Sequence, residues 1–155
     1  MPLSRRESLT ALMGFVALTT GTRCAIAGKG HMRIYKDPLC GCCESWAEAM
    51  RRAAYAVDVH NEADMAAIKR RFAVPADLEA CHTAVIEGYV IEGHVPPEAI
   101  GKLMDERPAI AGLAVPGMPE GSIGMGDSPN ASYDVYAFGK SEATPRLFYQ
   151  VRPRA

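Results

Sequence analysis

Three cysteines stand within four residues of the chain, at Cys40, Cys42 and Cys43. The outer two have the C-x-x-C spacing of thiol–disulfide oxidoreductases, and Cys42 adds a third thiol between them. We expect a strand before these residues and a helix after them, so the unpaired amides and the positive end of the helix dipole favour thiolate over thiol. Three convergent thiolates also make a soft site that suits monovalent copper. The pattern therefore predicts redox or metal chemistry, and it disfavours a role as small buried hydrophobes.

Met118 and Met125 form a second group of soft side chains, seven residues apart in a stretch rich in glycine and proline. No periodic apolar face requires them there. A thioether is a soft ligand that survives an oxidising compartment better than a thiol and selects monovalent copper over zinc. The two methionines are therefore candidate copper ligands or capture groups, and the alternative is that they anchor the loop. The remaining methionines after residue 27 fit core positions of predicted strands and helices: Met32, Met50, Met65 and Met104.

The elements that must position these side chains follow from hydrophobic spacing and turn residues. Their order is strand, helix, strand, helix, hairpin and helix. The predicted elements are a strand Met32–Tyr35, a helix that begins at or just after the cysteines, a strand Val57–His60, a helix capped by Asn61 and ended by Val74-Pro75, a hairpin of Thr83–Ile86 and Tyr89–Ile91 around Glu87-Gly88, and a helix opened by Pro96-Pro97 that ends before Pro108.

This order predicts an α/β fold of the thioredoxin-like type, with a mixed sheet and flanking helices. The predicted core covers about residues 31–107. Residues 108–132 contain nine glycines and prolines, so we predict a loop without a regular element there. Residues 133–138 and 146–151 look like two more strands, which would form an appended hairpin within residues 133–151.

The predicted fold places Cys81 near the cysteine cluster. In a thioredoxin-like fold, the loop that enters the strand after Cys81 lies opposite the N-terminus of the first helix, so Cys81 is a candidate fourth thiolate. The alternative is a lone buried cysteine. His82 is a candidate ligand or, alternatively, a packing or orienting histidine. His94 is a weaker candidate ligand, and His31 and His60 are weaker still.

Residues 1–27 have the features of an export signal. Arg5 and Arg6 precede an apolar run from Leu9 to Leu18, and Ala25-Ile26-Ala27 has the small-x-small pattern of a cleavage site. Such a run is too short to span a hydrocarbon core of ~30 Å, which disfavours the alternative of a membrane anchor. We therefore expect a mature domain of residues 28–155 in the periplasm, with the Sec and Tat routes both open.

The charge balance disfavours nucleic acid as a partner. The 155-residue chain carries 17 basic and 18 acidic side chains, and its isoelectric point is near 6.4. It has no basic block and no interleaved aromatic residues, which a nucleic-acid binder needs. The expected mature domain is large enough to bury a core without disulfides or a structural metal. Its cysteines therefore indicate a site.

Several motifs occur in one order along residues 32–138. They are Tyr35-Lys36-Asp37-Pro38-x-Cys40-Gly41-Cys42-Cys43-x-x-Trp46, Cys81-His82-Thr83-Ala84, Gly88-Tyr89, Glu92-Gly93-His94-Val95-Pro96 and Gly112-Leu113-Ala114-Val115-Pro116-Gly117-Met118-Pro119. Together they resemble the CopG-type copper-resistance proteins of bacterial envelopes. The resemblance implies a thioredoxin-like periplasmic protein that binds copper through the C-x-C-C cysteines, with Cys81 as their partner. The chain departs from the family pattern at Ala80 and Ile123, and neither departure removes a soft ligand.

The leading hypothesis is a periplasmic copper-binding protein that contributes to copper resistance and holds several Cu(I) ions in a thiolate-bridged cluster. Four thiolates carry four negative charges, which several Cu(I) ions sharing sulfurs neutralise, whereas a single Zn(II) ion leaves two uncompensated. Storage, transfer to a copper efflux or chaperone protein of the envelope, and conversion of copper between oxidation states are alternative roles for such a site.

The second hypothesis is an enzyme, a thiol–disulfide oxidoreductase in which Cys40 is the nucleophile and Cys43 the resolving thiol. The fold and the spacing support it, but it leaves Cys42, Cys81 and the methionine loop without a role. A structural zinc module is a third hypothesis. It is disfavoured because a domain of this size does not need a metal to fold.

Overall fold

The computed structural model of the protein describes residues 28–139 and 145–154. The predicted export signal, residues 1–27, lies outside the described residues. The elements in chain order are β1 (His31–Lys36), α1 (Gly41–Arg52), β2 (Ala56–Asn61), α2 (Met65–Arg71), a 3₁₀ turn (Ala76–Leu78), β3 (His82–Ile86), β4 (Tyr89–Glu92), α3 (Pro97–Glu106), β5 (Gly112–Ala114), β6 (Tyr133–Phe138) and β7 (Arg146–Val151). No helix of the described ranges is both long and apolar enough to cross a membrane.

The strands form one seven-stranded mixed sheet in the order β2-β1-β3-β4-β5-β6-β7. The pairs β1–β2 and β4–β5 are parallel, and the other neighbours are antiparallel. The start of the chain follows a strand–helix–strand path, and the β3–β4 hairpin lies at the predicted turn Glu87-Gly88. This confirms the predicted α/β class, and the arrangement agrees with the thioredoxin-like type.

Helices α1 and α3 pack their apolar sides into one large core. Trp46 and Met50 of α1 and Ile100 and Leu103 of α3 are completely buried, and they share this core with inward residues of the strands such as Ile34. Neighbouring residues of a strand point to opposite faces of the sheet. The strands therefore also contribute side chains to a second, smaller hydrophobic cluster apart from the main core. Its buried members are Val74, Leu78, Val90, Ala114 and Phe138.

The prediction that residues 108–132 contain no regular element is wrong. Gly112–Ala114 form the short strand β5, which pairs with β4 on one side and with β6 on the other. A three-residue strand that is buried throughout shows no alternation, and its glycine is itself a loop signal. The glycine is required here because a Cβ at Gly112 would lie 2.0 Å from the carbonyl oxygen of Val90. Through β5, the predicted C-terminal hairpin β6–β7 becomes part of the main sheet.

The start of α2 also differs from the prediction. Asn61 does not cap this helix but is the last residue of β2, paired with Lys36 of β1. Asp64 is the cap, and its side chain accepts a hydrogen bond from the amide of Ala67 at 2.9 Å. Asparagine and aspartate are equally good N-caps. The position of the cap is therefore decided by where the pairing of β2 with β1 ends, which is at Asn61.

A buried ion pair joins α2 to β4. The ammonium of Lys69 contacts the carboxylate of Glu92, and both side chains are almost wholly buried. The same carboxylate accepts a hydrogen bond from the hydroxyl of Thr83 at 2.6 Å and another from the amide of Ala80 at 2.7 Å. With these partners the pair is well satisfied, and a buried charge that loses its partner is costly.

We expect Lys69→Met to destabilise the fold strongly because it leaves the Glu92 carboxylate buried without its cation. The free energy of unfolding, measured by urea denaturation at pH 7, should fall by about 3–5 kcal/mol. The double variant Lys69→Met/Glu92→Gln removes both charges and should recover part of the loss. Lys102→Met, at an exposed pair with Glu106, is the control and should cost no more than about 1 kcal/mol. Equal losses in Lys69→Met and Lys102→Met would contradict this assignment.

Candidate metal centre

A tight turn after β1 delivers Cys40 to the start of α1. The side chain of Asp37 accepts a hydrogen bond from the amide of Leu39 at 2.7 Å, and its carbonyl accepts one from the amide of Cys40 at 3.0 Å. Lys36 also stabilises the turn, since its buried ammonium donates a hydrogen bond to the Asp37 carbonyl at 3.0 Å. It also lies 3.9 Å from the carboxylate of Glu44 in the first turn of α1. The turn and the helix start are therefore held together.

Cys40 is the N-cap residue of α1, with an extended backbone and no capping hydrogen bond from its side chain. Its sulfur is bonded to Cys43 in a disulfide, whereas Cys42 and Cys81 are free thiols. Cys43 is completely buried, and Cys40 is partly exposed. The exposed member of the disulfide is therefore the one that an external thiol can reach.

The sulfurs of Cys40, Cys42, Cys43 and Cys81 all lie within 4.8 Å of one another. Cys42 lies at the centre, with its Sγ 3.5 Å from the Sγ of Cys40 and 3.9 Å from the Sγ of Cys81. The sequence predicted that these four sulfurs converge, and the structure confirms the convergence. After the disulfide is reduced, such spacing would allow one metal ion to bind two of the sulfurs.

Cys81 enters the site just before β3, at a point fixed by the buried ion pair. The preceding residue, Ala80, donates its amide to the Glu92 carboxylate at 2.7 Å. Burial, and to a smaller extent the neighbouring Cys42 sulfur, raise the pKa of the Cys81 thiol to about 12. Without a metal ion, Cys81 is therefore a neutral thiol at physiological pH.

Two imidazoles flank the Cys81 sulfur. Its distance to Nδ1 of His82 is 3.3 Å, and its distance to Nε2 of His94 is 3.2 Å. Both histidines are completely buried, and burial lowers the pKa of each, well below the usual value for His82. Both rings are therefore neutral and each offers one lone pair. Together with Cys81 they form a second group of donor atoms that lie within 4.8 Å of one another.

Trp46 forms a wall of this second group as well as part of the core. Its indole Nε1 donates to the carbonyl of Val95 at 2.9 Å, which ties α1 to the residue after His94. Its ring packs against the ring of His82 with centroids 4.4 Å apart. This packing holds His82 in place, and the Nε2 atom of His82 has no hydrogen-bond partner among the described residues.

The two candidate methionines lie in different environments. The sulfur of Met118 is 4.0 Å from the Cys42 sulfur, and the residue is 55% exposed. Met125 has no sulfur contact with the cysteine group among the described residues. The loop between them still packs on the site, because a Cβ at Gly124 would lie 2.7 Å from the carbonyl oxygen of Cys42. Met118 therefore lies at the mouth of the site, whereas Met125 lines a surface pocket with Ser128 and Asn130.

Sequence reasoning did not identify four residues that support the donors. Lys36 holds the turn before Cys40, and Lys69 and Glu92 hold the residue before Cys81. Ser122 lies between the methionines and bonds to Nδ1 of His94 at 2.9 Å. Lys36 and Glu92 occur within the motifs of the family resemblance but had no predicted role, and no spacing pattern singled out Lys69 in α2 or Ser122 in the methionine loop.

The chain is similar to a protein family and to two solved structures. Residues 78–125 match the model of a family described as a protein of unknown function, DUF411. Two solved structures of a copper resistance protein, CopG, forms 1 and 2, match with TM-scores of 0.71 and 0.72 and with 39% and 40% sequence identity. These matches cover 79% of this chain and 97% and 98% of the two CopG chains. No curated protein sequence matches the chain.

We expect the Cys81 thiol to react slowly with iodoacetamide, because only a thiolate attacks and the pKa of this group is raised to about 12. In the disulfide form at pH 8, its alkylation should be at least ~100-fold slower than in the same chain unfolded in urea, where the thiol pKa returns to about 8.5. The rate should rise about tenfold per pH unit between pH 7 and 10, as the thiolate fraction does.

Peptide mapping by mass spectrometry assigns the alkylation to each cysteine. Similar rates for Cys81 in the folded and unfolded chains at pH 8 would mean that the folded protein does not suppress its thiolate.

Proposed function

Because the chain belongs to the CopG family of copper-resistance proteins, we propose that it binds Cu(I) in the periplasm and thereby contributes to copper resistance. The observation that carries this proposal is the group of four sulfurs within 4.8 Å. In the proposed site Cys40, Cys42, Cys43 and Cys81 are the thiolate ligands.

The chemistry of the surroundings supports monovalent copper. Thiolates and thioethers are soft donors that favour Cu(I). The neighbouring imidazoles are neutral and buried, and the four cysteines are partly or completely buried, so excess charge on their sulfurs would be incompletely solvated. Each Cu(I) ion that replaces one thiol proton leaves the net charge unchanged. Several Cu(I) ions shared among four sulfurs therefore suit this pocket better than one Zn(II) ion bound by four thiolates.

Full use of the four sulfurs requires reduction of the Cys40–Cys43 disulfide. A dithiol reductant would supply two electrons and two protons, become a disulfide itself and leave two thiols in the protein. Cu(I) binding then forms Cu–S bonds and releases the thiol protons to solvent. In the disulfide form, Cys42 and Cys81 are the two of these four cysteines that remain thiols, so this form should hold less copper.

Met118 would add a neutral ligand at the exposed side of this site. Its thioether is 4.0 Å from the Cys42 sulfur, and thioethers bind more weakly than thiolates, which suits an exchangeable position. Met125 remains a candidate capture group in the same loop. His82 and His94 are candidate nitrogen ligands beside Cys81.

The proposal includes export and a protein partner. Residues 1–27 would be removed after export, so that the mature chain begins at Gly28. A copper efflux or chaperone protein of the envelope would exchange ions with the exposed side of the site, where Leu39 and Met118 are the large apolar side chains open to solvent.

The disulfide favours a second candidate function, thiol–disulfide exchange. Cys40 is partly exposed and Cys43 is completely buried, which matches the predicted roles of nucleophile and resolving thiol. In this reaction the reduced pair would pass two electrons and two protons to a substrate disulfide. Cys42 competes with that role because its sulfur is only 3.5 Å from Cys40.

Copper analysis of the reduced and oxidised chains tests the proposal. After anaerobic Cu(I) loading and desalting, the reduced protein should hold more copper per chain than the disulfide form, and X-ray absorption should show sulfur ligands. Cys42→Ser should hold less copper than wild type because it removes the central sulfur. Ser45→Ala, an exposed residue of the same helix, is the control and should match wild type. Insulin reduction without retained copper would instead favour thiol–disulfide exchange.

Single methionine variants separate copper capture from loop anchoring. Met118→Leu should speed the loss of copper to a Cu(I) chelator, while the free energy of unfolding changes by less than ~1.5 kcal/mol because size and apolar character are kept. Met125→Leu is the matched variant in the same loop, and we expect a smaller effect from it because its sulfur, unlike that of Met118, makes no contact with the cysteine sulfurs among the described residues. A lower melting temperature with unchanged copper release in Met118→Leu would assign this residue to loop anchoring.

A further inference from the structure

A chain of hydrogen bonds runs from the methionine loop to the Cys81 sulfur, and its direction is set at one end. The hydroxyl of Ser122 lies 2.6 Å from the carbonyl oxygen of Pro119, which can only accept. The single hydroxyl hydrogen of Ser122 is therefore used there. Nδ1 of His94 lies 2.9 Å from the same hydroxyl oxygen. For this contact to be a hydrogen bond, Nδ1 must carry a hydrogen and donate it.

The imidazole ring of His94 connects the Ser122 hydroxyl to the Cys81 sulfur. A neutral imidazole has one N–H, so a hydrogen on Nδ1 leaves a lone pair on Nε2. That Nε2 atom is 3.2 Å from the Cys81 sulfur. With no hydrogen on Nε2, this contact is a hydrogen bond when the Cys81 sulfur donates its hydrogen to Nε2. The lone pair of His94 therefore faces the sulfur at which copper is proposed to bind.

His82 receives the opposite orientation. Its Nδ1 atom is 3.3 Å from the same sulfur, but the thiol hydrogen already belongs to the contact with His94. A hydrogen bond to His82 then requires Nδ1–H as donor and the sulfur as acceptor. This leaves a lone pair on Nε2 of His82, the buried atom without a hydrogen-bond partner among the described residues. The two histidines beside Cys81 thus have different roles.

We propose that Ser122 is a positioning residue that fixes the Nδ1–H tautomer of His94 and so directs the Nε2 lone pair at the Cys81 sulfur. The copper-related part of this inference rests on the proposed function. When Cu(I) replaces the thiol proton of Cys81, a Cu–S bond forms and the proton leaves to solvent. The Nε2 lone pair of His94 needs no change of tautomer to become a ligand, whereas His82 stays a hydrogen-bond donor to the sulfur.

The tautomer is measured directly in the copper-free protein by long-range ¹H–¹⁵N correlation spectra of ¹⁵N-histidine-labelled chain. In wild type we expect the protonated nitrogen of both His94 and His82 to be Nδ1. Ser122→Ala removes the acceptor of the His94 hydrogen and should convert His94 to a mixture of tautomers or to Nε2–H. Ser122→Thr keeps a hydroxyl and should restore Nδ1–H. Ser45→Ala, whose hydroxyl bonds to the Gly41 carbonyl, should leave both histidines unchanged.

The result that overturns the proposal is Nε2–H on His94 in wild type, or an unchanged Nδ1–H signal in Ser122→Ala. The wild-type spectrum decides the first point even if Ser122→Ala does not fold.

A competition with a Cu(I) chelator tests the link to copper. Ser122→Ala should weaken Cu(I) binding by about 10–100-fold, as loss of an orienting partner does at other metal sites, and Ser122→Thr should bind within a few-fold of wild type. An altered tautomer with unchanged Cu(I) affinity would overturn the link. If wild type shows the expected tautomers but binds no copper, the proposed function fails while the positioning of His94 by Ser122 stands.

Discussion

The antiparallel pairing of β1 with β3 is the constraint on which the sulfur site depends. Lys36, the last residue of β1, lies opposite His82, the first residue of β3. The chain therefore leaves one strand beside the point where it enters the other. The turn that carries Cys40 and the residue before β3 consequently share one edge of the sheet. Cys42 and Cys81 are 39 residues apart in sequence, and their sulfurs are 3.9 Å apart.

Buried polar groups turn this proximity into a defined geometry. The Lys69–Glu92 pair holds the backbone just before Cys81, and Lys36 holds the turn before Cys40. Lys69 contacts Glu92, and Lys36 lies 3.9 Å from the Glu44 carboxylate, whereas the two imidazoles that touch the Cys81 sulfur are neutral. Because the Cys81 thiol is neutral as well, this part of the pocket favours a ligand that adds no net charge when it displaces a proton. Monovalent copper has that property at each sulfur, whereas one Zn(II) ion bound by four thiolates displaces four protons and leaves two negative charges.

Much of the fold could be predicted from local patterns, and the errors have a common cause. The C-x-C-C cluster at a helix start, the Glu87-Gly88 hairpin and the helix after Pro96 each depend on residues close together in sequence. The strand β5 was missed because it exists only through its pairing with β4 and β6. Asn61 is predicted to cap a helix, but it is the last residue of β2 because it pairs with Lys36 of β1. In both cases long-range hydrogen bonds outweighed the local signal.

The sequence by itself determined the chemistry of the site. It supplies soft sulfur donors, two of them in C-x-x-C spacing, and histidines and methionines as further candidate ligands. These properties belong to residue types and short spacings, which do not change on folding. Only the tertiary structure decided which donors meet. It placed Met118 beside the Cys42 sulfur and Met125 at a surface pocket with Ser128, and it placed His82 and His94 beside the same sulfur of Cys81. It also set the direction of the hydrogen bonds through Ser122, because that direction depends on a carbonyl oxygen that no sequence pattern locates.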